Sequence, residues 1–167
     1  SATLRTKGTG QSVKGPNVDP DRVIGPIPDD MSRCEPGGTF EKLDKTWPQF
    51  PDFTRTLLAS GRQVVACPGP GEEGIVQASH AGVTTLAGVN LGVYAGILRR
   101  CALMVSNDTG PAHLAAAVGT RVLSALGPTQ PEQWAPWGEH VHVERRWPEW
   151  PTPDAVLQRA RQLLDGA

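Results

Sequence analysis

The chain has 167 residues, with Lys plus Arg at 16 against Asp plus Glu at 17, a formal net charge of −1. That length is one ordinary domain, and near-neutrality excludes a global basic field for holding nucleic acid or an anionic surface. Gly (19) and Pro (16) are frequent and aromatic content is only 5%, which excludes a coiled coil, and no apolar run approaches the ~20 residues a membrane-spanning helix needs. Residues 1–33 are rich in Gly, Pro, Thr, Lys and Asp, and from Val18 to about Asp30 the short apolar spots are Val23, Ile24 and Ile27. The composition predicts a flexible or extended N-terminal arm that adds little core. The absence of Met at Ser1 points to a trimmed or engineered start, and no signal peptide is visible.

From Cys34 onward the pattern is regular. Phe50, Phe53, Leu57 and Leu58 fall at helical spacing within 48–60, with Gly61 at the helix end. Residues 63–67 (QVVAC) read as a strand, 72–80 as a short helix and 83–85 as a strand. The stretch 91–99 reads as a helix with Leu91, Tyr94, Ala95 and Leu98 on one face. Then come strand 102–106, helix 111–118, strand 121–126, a last strand at 140–143 and a helix at 153–164. Thr152 and Pro153 suit the N-cap and first position of that helix. Short apolar strands alternating with helices predict a Rossmann-like α/β domain over 34–167: a parallel sheet with helices on both faces. In such sheets ligands bind where strands end and helices begin.

Four such junctions carry candidate chemistry. Gly69-Pro70-Gly71-Glu72-Glu73-Gly74 has the G-x-G-x-x-G spacing of a dinucleotide loop. Pro70 stiffens it, two carboxylates would face a pyrophosphate, and no acidic residue ends a strand at the distance a ribose contact requires. A Gly-Pro loop with exposed acids, or a loop whose Glu72 or Glu73 holds a ribose, fits as well. At the second junction Ser106-Asn107-Asp108-Thr109-Gly110-Pro111 leads into a helix. Free amides and the dipole at that helix start favour an anion such as a diphosphate. Thr109, Gly110 and His113 can face it, while Asp108 suits a cap or a sugar hydroxyl. The third junction is Gly127-Pro128-Thr129, expected beside the second. The fourth is Gly37-Gly38-Thr39 with Lys45, which offers amides, a hydroxyl and a cation; it is not a Walker loop.

The run from Ser106 to Ala117, then Gly127 to Pro131, and the segment Pro36-Gly37-Gly38 … Lys45-Thr46-Trp47-Pro48 together resemble glycosyltransferase family 9, the heptosyltransferases with a GT-B fold. The resemblance covers Cys34 to Ala167 and is to the C-terminal, donor-binding domain. It implies a nucleotide-diphosphate sugar as donor substrate, no cofactor and no metal, and transfer with inversion. By the resemblance Lys45 and Thr39 contact the diphosphate beside Gly37 and Gly38, Asp108 contacts the donor sugar, and Thr109, Gly110 and His113 contact the phosphates. Leu86, Ala87 and Gly88 edge the base, and Glu72 or Glu73 reaches the ribose. It also implies a cytoplasmic enzyme, with peripheral membrane association of the full protein.

The family's acceptor-binding N-terminal domain, which supplies the general base, has no counterpart in residues 1–33. The expectation is therefore one half of a catalyst that needs a second domain or partner chain. A nucleotide-sugar binding module without catalysis and a dinucleotide-dependent oxidoreductase are the competing readings. Nucleic-acid binding is not expected, since Arg99-Arg100 and Arg145-Arg146 are only short basic pairs. Cys34, Cys67 and Cys101 are an odd number without metal-ligand spacing and are expected as reduced thiols. Trp134, Trp137, Trp147 and Trp150 form a Trp-rich stretch that suits packing, sugar stacking or a domain contact.

Overall fold

A computed structural model describes residues 3–5, 12–14, 19–25, 46–127 and 129–166. Two short strands, β1 (Thr3–Arg5) and β2 (Ser12–Lys14), pair antiparallel. The main body follows in chain order: β3 (Asp19–Ile24), α1 (Phe50–Ala59), β4 (Gln63–Ala66), α2 (Glu73–Ser79), β5 (Thr84–Thr85) and α3 (Leu91–Leu98). Then come β6 (Cys101–Ser106), α4 (Gly110–Ala117), β7 (Val122–Leu126), α5 (Pro131–Trp134), β8 (Val141–Arg145) and α6 (Pro153–Asp165).

The main sheet has six strands in the order β5-β4-β3-β6-β7-β8. Every neighbouring pair in it is parallel. Counted from β3, this is the order 3-2-1-4-5-6 of doubly wound nucleotide-binding sheets, whose direction of winding reverses between the first and fourth strands. Here that switch point lies between β3 and β6.

Period-two alternation splits the core between the two faces. Val23, Val64, Leu103, Val105 and Leu123 point to one side, where Phe53 and Leu57 of α1 and Val156, Ala160 and Leu164 of α6 cover them. Ile24, Val65, Met104 and Val122 point to the other, against Tyr94 and Leu98 of α3 and Ala112, Ala115 and Ala116 of α4. Because both faces are covered, β4, β6 and β7 are short, largely continuous apolar runs rather than alternating ones.

The expected arm over 1–33 needs correction. Its residues Asp19–Ile24 are β3, a central strand bonded to β4 on one side and β6 on the other. Val23 and Ile24 are fully buried. Only two apolar residues mark this strand, and Asp19-Pro20-Asp21-Arg22 before them reads as a loop. Pro20 is tolerated at the start of a strand, where a missing N–H costs least. The expected Rossmann-like sheet from Cys34 onward therefore takes its first strand from upstream of that boundary.

Smaller differences follow from local chemistry. Leu91, expected on the inner face of α3, is exposed, while Tyr94 and Leu98 are buried. Leu91 opens the helix, ahead of the turn that packs on the sheet. The short helix α5 falls in a segment read only as a Gly-Pro-Thr turn. Cys67 and Cys101 are buried, the Cys101 thiol donating to Ile97 C=O at 3.3 Å, while Cys34 lies outside the described residues.

Candidate functional site

The β6–α4 junction sits at the switch point, at the carboxyl edge of the sheet. Ser106 ends β6 and Gly110 begins α4, so Asn107, Asp108 and Thr109 make the whole turn. All three are buried, as is Ser106. Thr109 occupies the N-cap position in an extended conformation, yet its hydroxyl does not cap the helix. It shares a buried 3.0 Å hydrogen bond with the Ser106 hydroxyl instead. In the first turn of α4, Ala112 N–H donates to Thr109 C=O at 3.1 Å. Pro111 stands in that first turn, where a missing N–H is least costly. Gly110 and His113 are exposed at the same end. An uncapped helix start with exposed positions suits an anionic ligand.

The turn is tied to a distant segment. The Asn107 side-chain oxygen accepts a hydrogen bond from the backbone N–H of Trp47 at 3.0 Å, and the pair is buried. Trp47 itself is wholly enclosed. Its indole N–H donates to the Pro151 carbonyl at 3.0 Å, and its ring meets Phe50 and Phe53 edge-on. Lys45, Gly37, Gly38 and Thr39 lie outside the described residues.

The β4–α2 loop bears on the dinucleotide reading. Glu72 accepts from Gly69 N–H at 2.8 Å, and Glu73 accepts from Gly71 N–H at 3.1 Å. The amides that a dinucleotide pyrophosphate would take at Gly69 and Gly71 are therefore engaged by the chain's own carboxylates.

Beside this loop lies a cleft of about 280 Å³, lined by Cys67, Pro68, Gly69, Glu72, Val89, Leu91, Tyr94 and Pro111. It is mainly apolar, with the Glu72 carboxylate at one wall and the start of α4, through Pro111, at another. Burial pushes the Cys67 thiol up to about 11 and raises the Tyr94 phenol as well. Both stay protonated at neutral pH, so this wall acts as packing surface and not as a nucleophile. Leu86 N–H closes onto Ala66 C=O at 2.9 Å, which carries Leu86, Ala87 and Gly88 to the end of β5. Ala87 and Gly88 are exposed and Leu86 half-buried. Gly88 has φ +67, a left-handed conformation that a side chain would strain.

The neighbouring β7 loop is held by an aromatic contact. A Cβ on Gly127 would fall 2.6 Å from ring atoms of Trp150, so only glycine lets that indole lie on the end of β7. Trp134, Trp137 and Trp147 are exposed. Arg145 stacks over the Trp147 ring at 4.9 Å. Among the described residues no group of three His, Cys, Asp or Glu side chains is arranged to hold a metal.

The structure thus groups Asp108, Thr109, Gly110 and His113 on one junction, and Glu72 and Glu73 on a neighbouring loop of the same edge. The sequence did not single out Asn107 or Trp47 as partners, nor Val89, Leu91, Tyr94 and Pro111 as a cleft. A hydrogen bond across 60 residues leaves no local signal. The cleft residues come from three separate segments that only the fold assembles.

Lipopolysaccharide heptosyltransferase 3 of Escherichia coli is 29% identical over 113 residues, which is 62% of this chain and 33% of that protein. The E. coli ADP-heptose lps heptosyltransferase II superposes with TM-score 0.68 at 25% identity, over 88% of this chain and 47% of the other. E. coli heptosyltransferase WaaC with ADP gives TM-score 0.68 at 24% identity, over 88% and 45%, a likeness of fold. The chain therefore spans a third to a half of the length of these relatives. The model of glycosyltransferase family 9 (heptosyltransferase) matches residues 28–164. On that match, and with the switch-point junction above, the chain belongs to glycosyltransferase family 9.

Proposed function

We propose that this chain is the donor-binding half of an inverting, heptosyltransferase-like glycosyltransferase that takes its sugar from a nucleotide-diphosphate sugar. The observation that carries the reading is the uncapped start of α4 at the β3/β6 switch point, with Asp108 in the turn that leads to it. Thr109, Gly110 and His113 would bind the diphosphate there, where amides and the helix dipole favour negative charge. Lys45, with Gly37, Gly38 and Thr39, would complete the diphosphate contacts. The cleft beside them would hold the nucleoside, its base against Val89, Leu91 and the Leu86-Ala87-Gly88 edge. Glu72 or Glu73 would turn from the loop amides to the ribose hydroxyls.

Chemically, the bond between the sugar's anomeric carbon and the diphosphate oxygen breaks while an acceptor oxygen attacks from the opposite face. Charge grows on the departing diphosphate, and a fixed cation and aligned amides lower that barrier. Asp108 would orient the sugar. A base on a second domain or partner chain would take the acceptor's proton. Such a full enzyme would work in the cytoplasm, at the membrane surface if its acceptor is a lipid-linked sugar. Among the described residues no helix is long and apolar enough to cross a membrane.

ADP is the first probe, because the structural neighbour E. coli heptosyltransferase WaaC was solved with ADP. A ligand at a hundred times its Kd stabilises by ~2.7 kcal/mol, a rise in Tm on the order of 5–10 °C for a chain of this size. ADP, UDP and GDP should separate in this assay, with one giving the largest rise. Lys45→Ala and Asp108→Ala should abolish most of the rise given by the preferred diphosphate. No rise with any of them, or full rises in both variants, overturns the reading. A bound diphosphate without transfer, once an acceptor domain is supplied, would identify a binding module that has lost catalysis.

A further inference from the structure

We infer that Asn107 is a positioning residue: it sets the Asp108–Thr109 turn by locking it to the rigid Trp47 anchor. The inference rests on the donor-site reading for its importance to binding, but its geometry stands independently. The turn holds three residues, and the side chains on both sides of Asp108 have fixed inward partners. Thr109 is bonded to Ser106 and Asn107 to the Trp47 backbone. Asp108 is the residue between these two attachments, so its backbone direction follows from them.

The anchor end is unusually stiff. Trp47 is wholly buried, edge-on to two phenylalanines, with its indole N–H on Pro151 C=O. Its backbone N–H is held within the interior by the Asn107 side chain. An amide left without a partner there would be costly, so both groups gain from keeping this geometry. Asn also suits the position by charge. Aspartate would offer the same accepting oxygen but would place a second carboxylate next to Asp108 in a buried turn. The bond spans 60 residues and ties the chain entering α1 to the switch-point turn. It thereby couples the α1/α6 side of the sheet to the helix start on the α4 side.

Amide hydrogen exchange on the chain tests this without any ligand. Asn107→Ala should speed exchange at Trp47 by tenfold or more, and should carry a similar loss to Ala112, whose N–H closes the first turn of α4. Asn107→Asp keeps the accepting oxygen and should restore protection at Trp47, while the second carboxylate beside Asp108 leaves Ala112 only partly restored. If Ala112 exchange stays within twofold of the parent in Asn107→Ala, the residue is a local brace only and the inference fails. Titration of ADP at a temperature well below unfolding then reads the functional consequence. A parent that binds, with Asn107→Ala at least tenfold weaker, supports the inference; an unchanged Kd overturns it. A parent that binds no nucleoside diphosphate overturns the donor-site reading instead, and the exchange result still decides the positioning role. If Asn107→Ala does not fold, Asn107→Ser applies, since it withdraws the accepting amide oxygen from the Trp47 N–H and keeps a polar group in the turn. It should loosen Ala112 at least threefold, and no change there overturns the inference.

Discussion

At the scale of single residues, two glycines decide the shape of the carboxyl edge. Gly25 follows β3 at the switch point and donates its N–H to Val65 C=O at 3.1 Å. A Cβ there would lie 2.8 Å from the Val105 carbonyl oxygen, and backbone in a central strand cannot move aside. Gly25→Ala should therefore cost at least the ~1–3 kcal/mol typical of overpacking, read as a lower urea midpoint with an unchanged slope. An unchanged midpoint would mean that β3 and β6 are not packed this closely. Gly127→Ala meets a side chain instead, the Trp150 indole, which can shift by side-chain torsion where the backbone of a central strand cannot. Its cost in stability should be smaller, and quenching or a shift in Trp fluorescence should report the displaced ring. Glu72 is a residue of a different kind, since its carboxylate fills the Gly69 amide. Removing it in Glu72→Ala should leave the fold intact and weaken nucleoside diphosphate binding more than binding of inorganic pyrophosphate, if it serves the ribose. Equal losses for both probes would assign it to the loop alone.

At the scale of elements, local chemistry and tertiary packing divide the credit. Helix α6 was fully legible: Thr152 caps it, accepting from Ala155 N–H at 3.3 Å, with Pro153 at the first position. Thr152→Ala should lose roughly 1 kcal/mol, measured by chemical denaturation. Leu98, by contrast, belongs to α3 and is fully enclosed in the α3/α4 core. Leu98→Ala should cost about 2–5 kcal/mol through lost burial and a residual cavity. The helices other than α5 and the strands β4, β6 and β7 were readable because each carries its own periodicity or apolar run. Strand β3 was not, because two buried residues behind a polar, Pro-containing lead give no period to detect. Its position is instead fixed by pairing with β4 and β6. The turn at Asp108 was legible as a cluster of suited residue types on one helix start. Its bracing by Trp47 was not, because the bond joins positions far apart in sequence. The self-engaged Glu72 and Glu73 corrected a motif that spacing alone overstates.

At the scale of the whole molecule, acid sensitivity follows from which groups the fold buries. His80 ends α2, is 7% exposed, and its Nδ1 lacks a hydrogen-bond partner. Burial lowers its pKa from the ordinary 6.5. His142 on β8 is lowered as well, first by burial and then by Arg159, Arg121 and His140 around it. Both rings are neutral in folded and unfolded chains at high pH, so they contribute no pH dependence there. Below about 6.5 the unfolded chain takes up protons that the folded chain still refuses. The unfolded state is then favoured, and stability falls with falling pH until the folded rings also protonate. Below that point their contribution is constant. The sign is fixed by the lowered direction; a raised pKa would give the reverse. Urea midpoints should therefore decline from pH 7.5 to pH 5. His80→Gln, which cannot take up a proton, should flatten part of that decline, and His142→Gln another part, with the two effects adding because the residues lie on separate elements. A decline of full size in the double variant would place the acid sensitivity in the carboxylates instead.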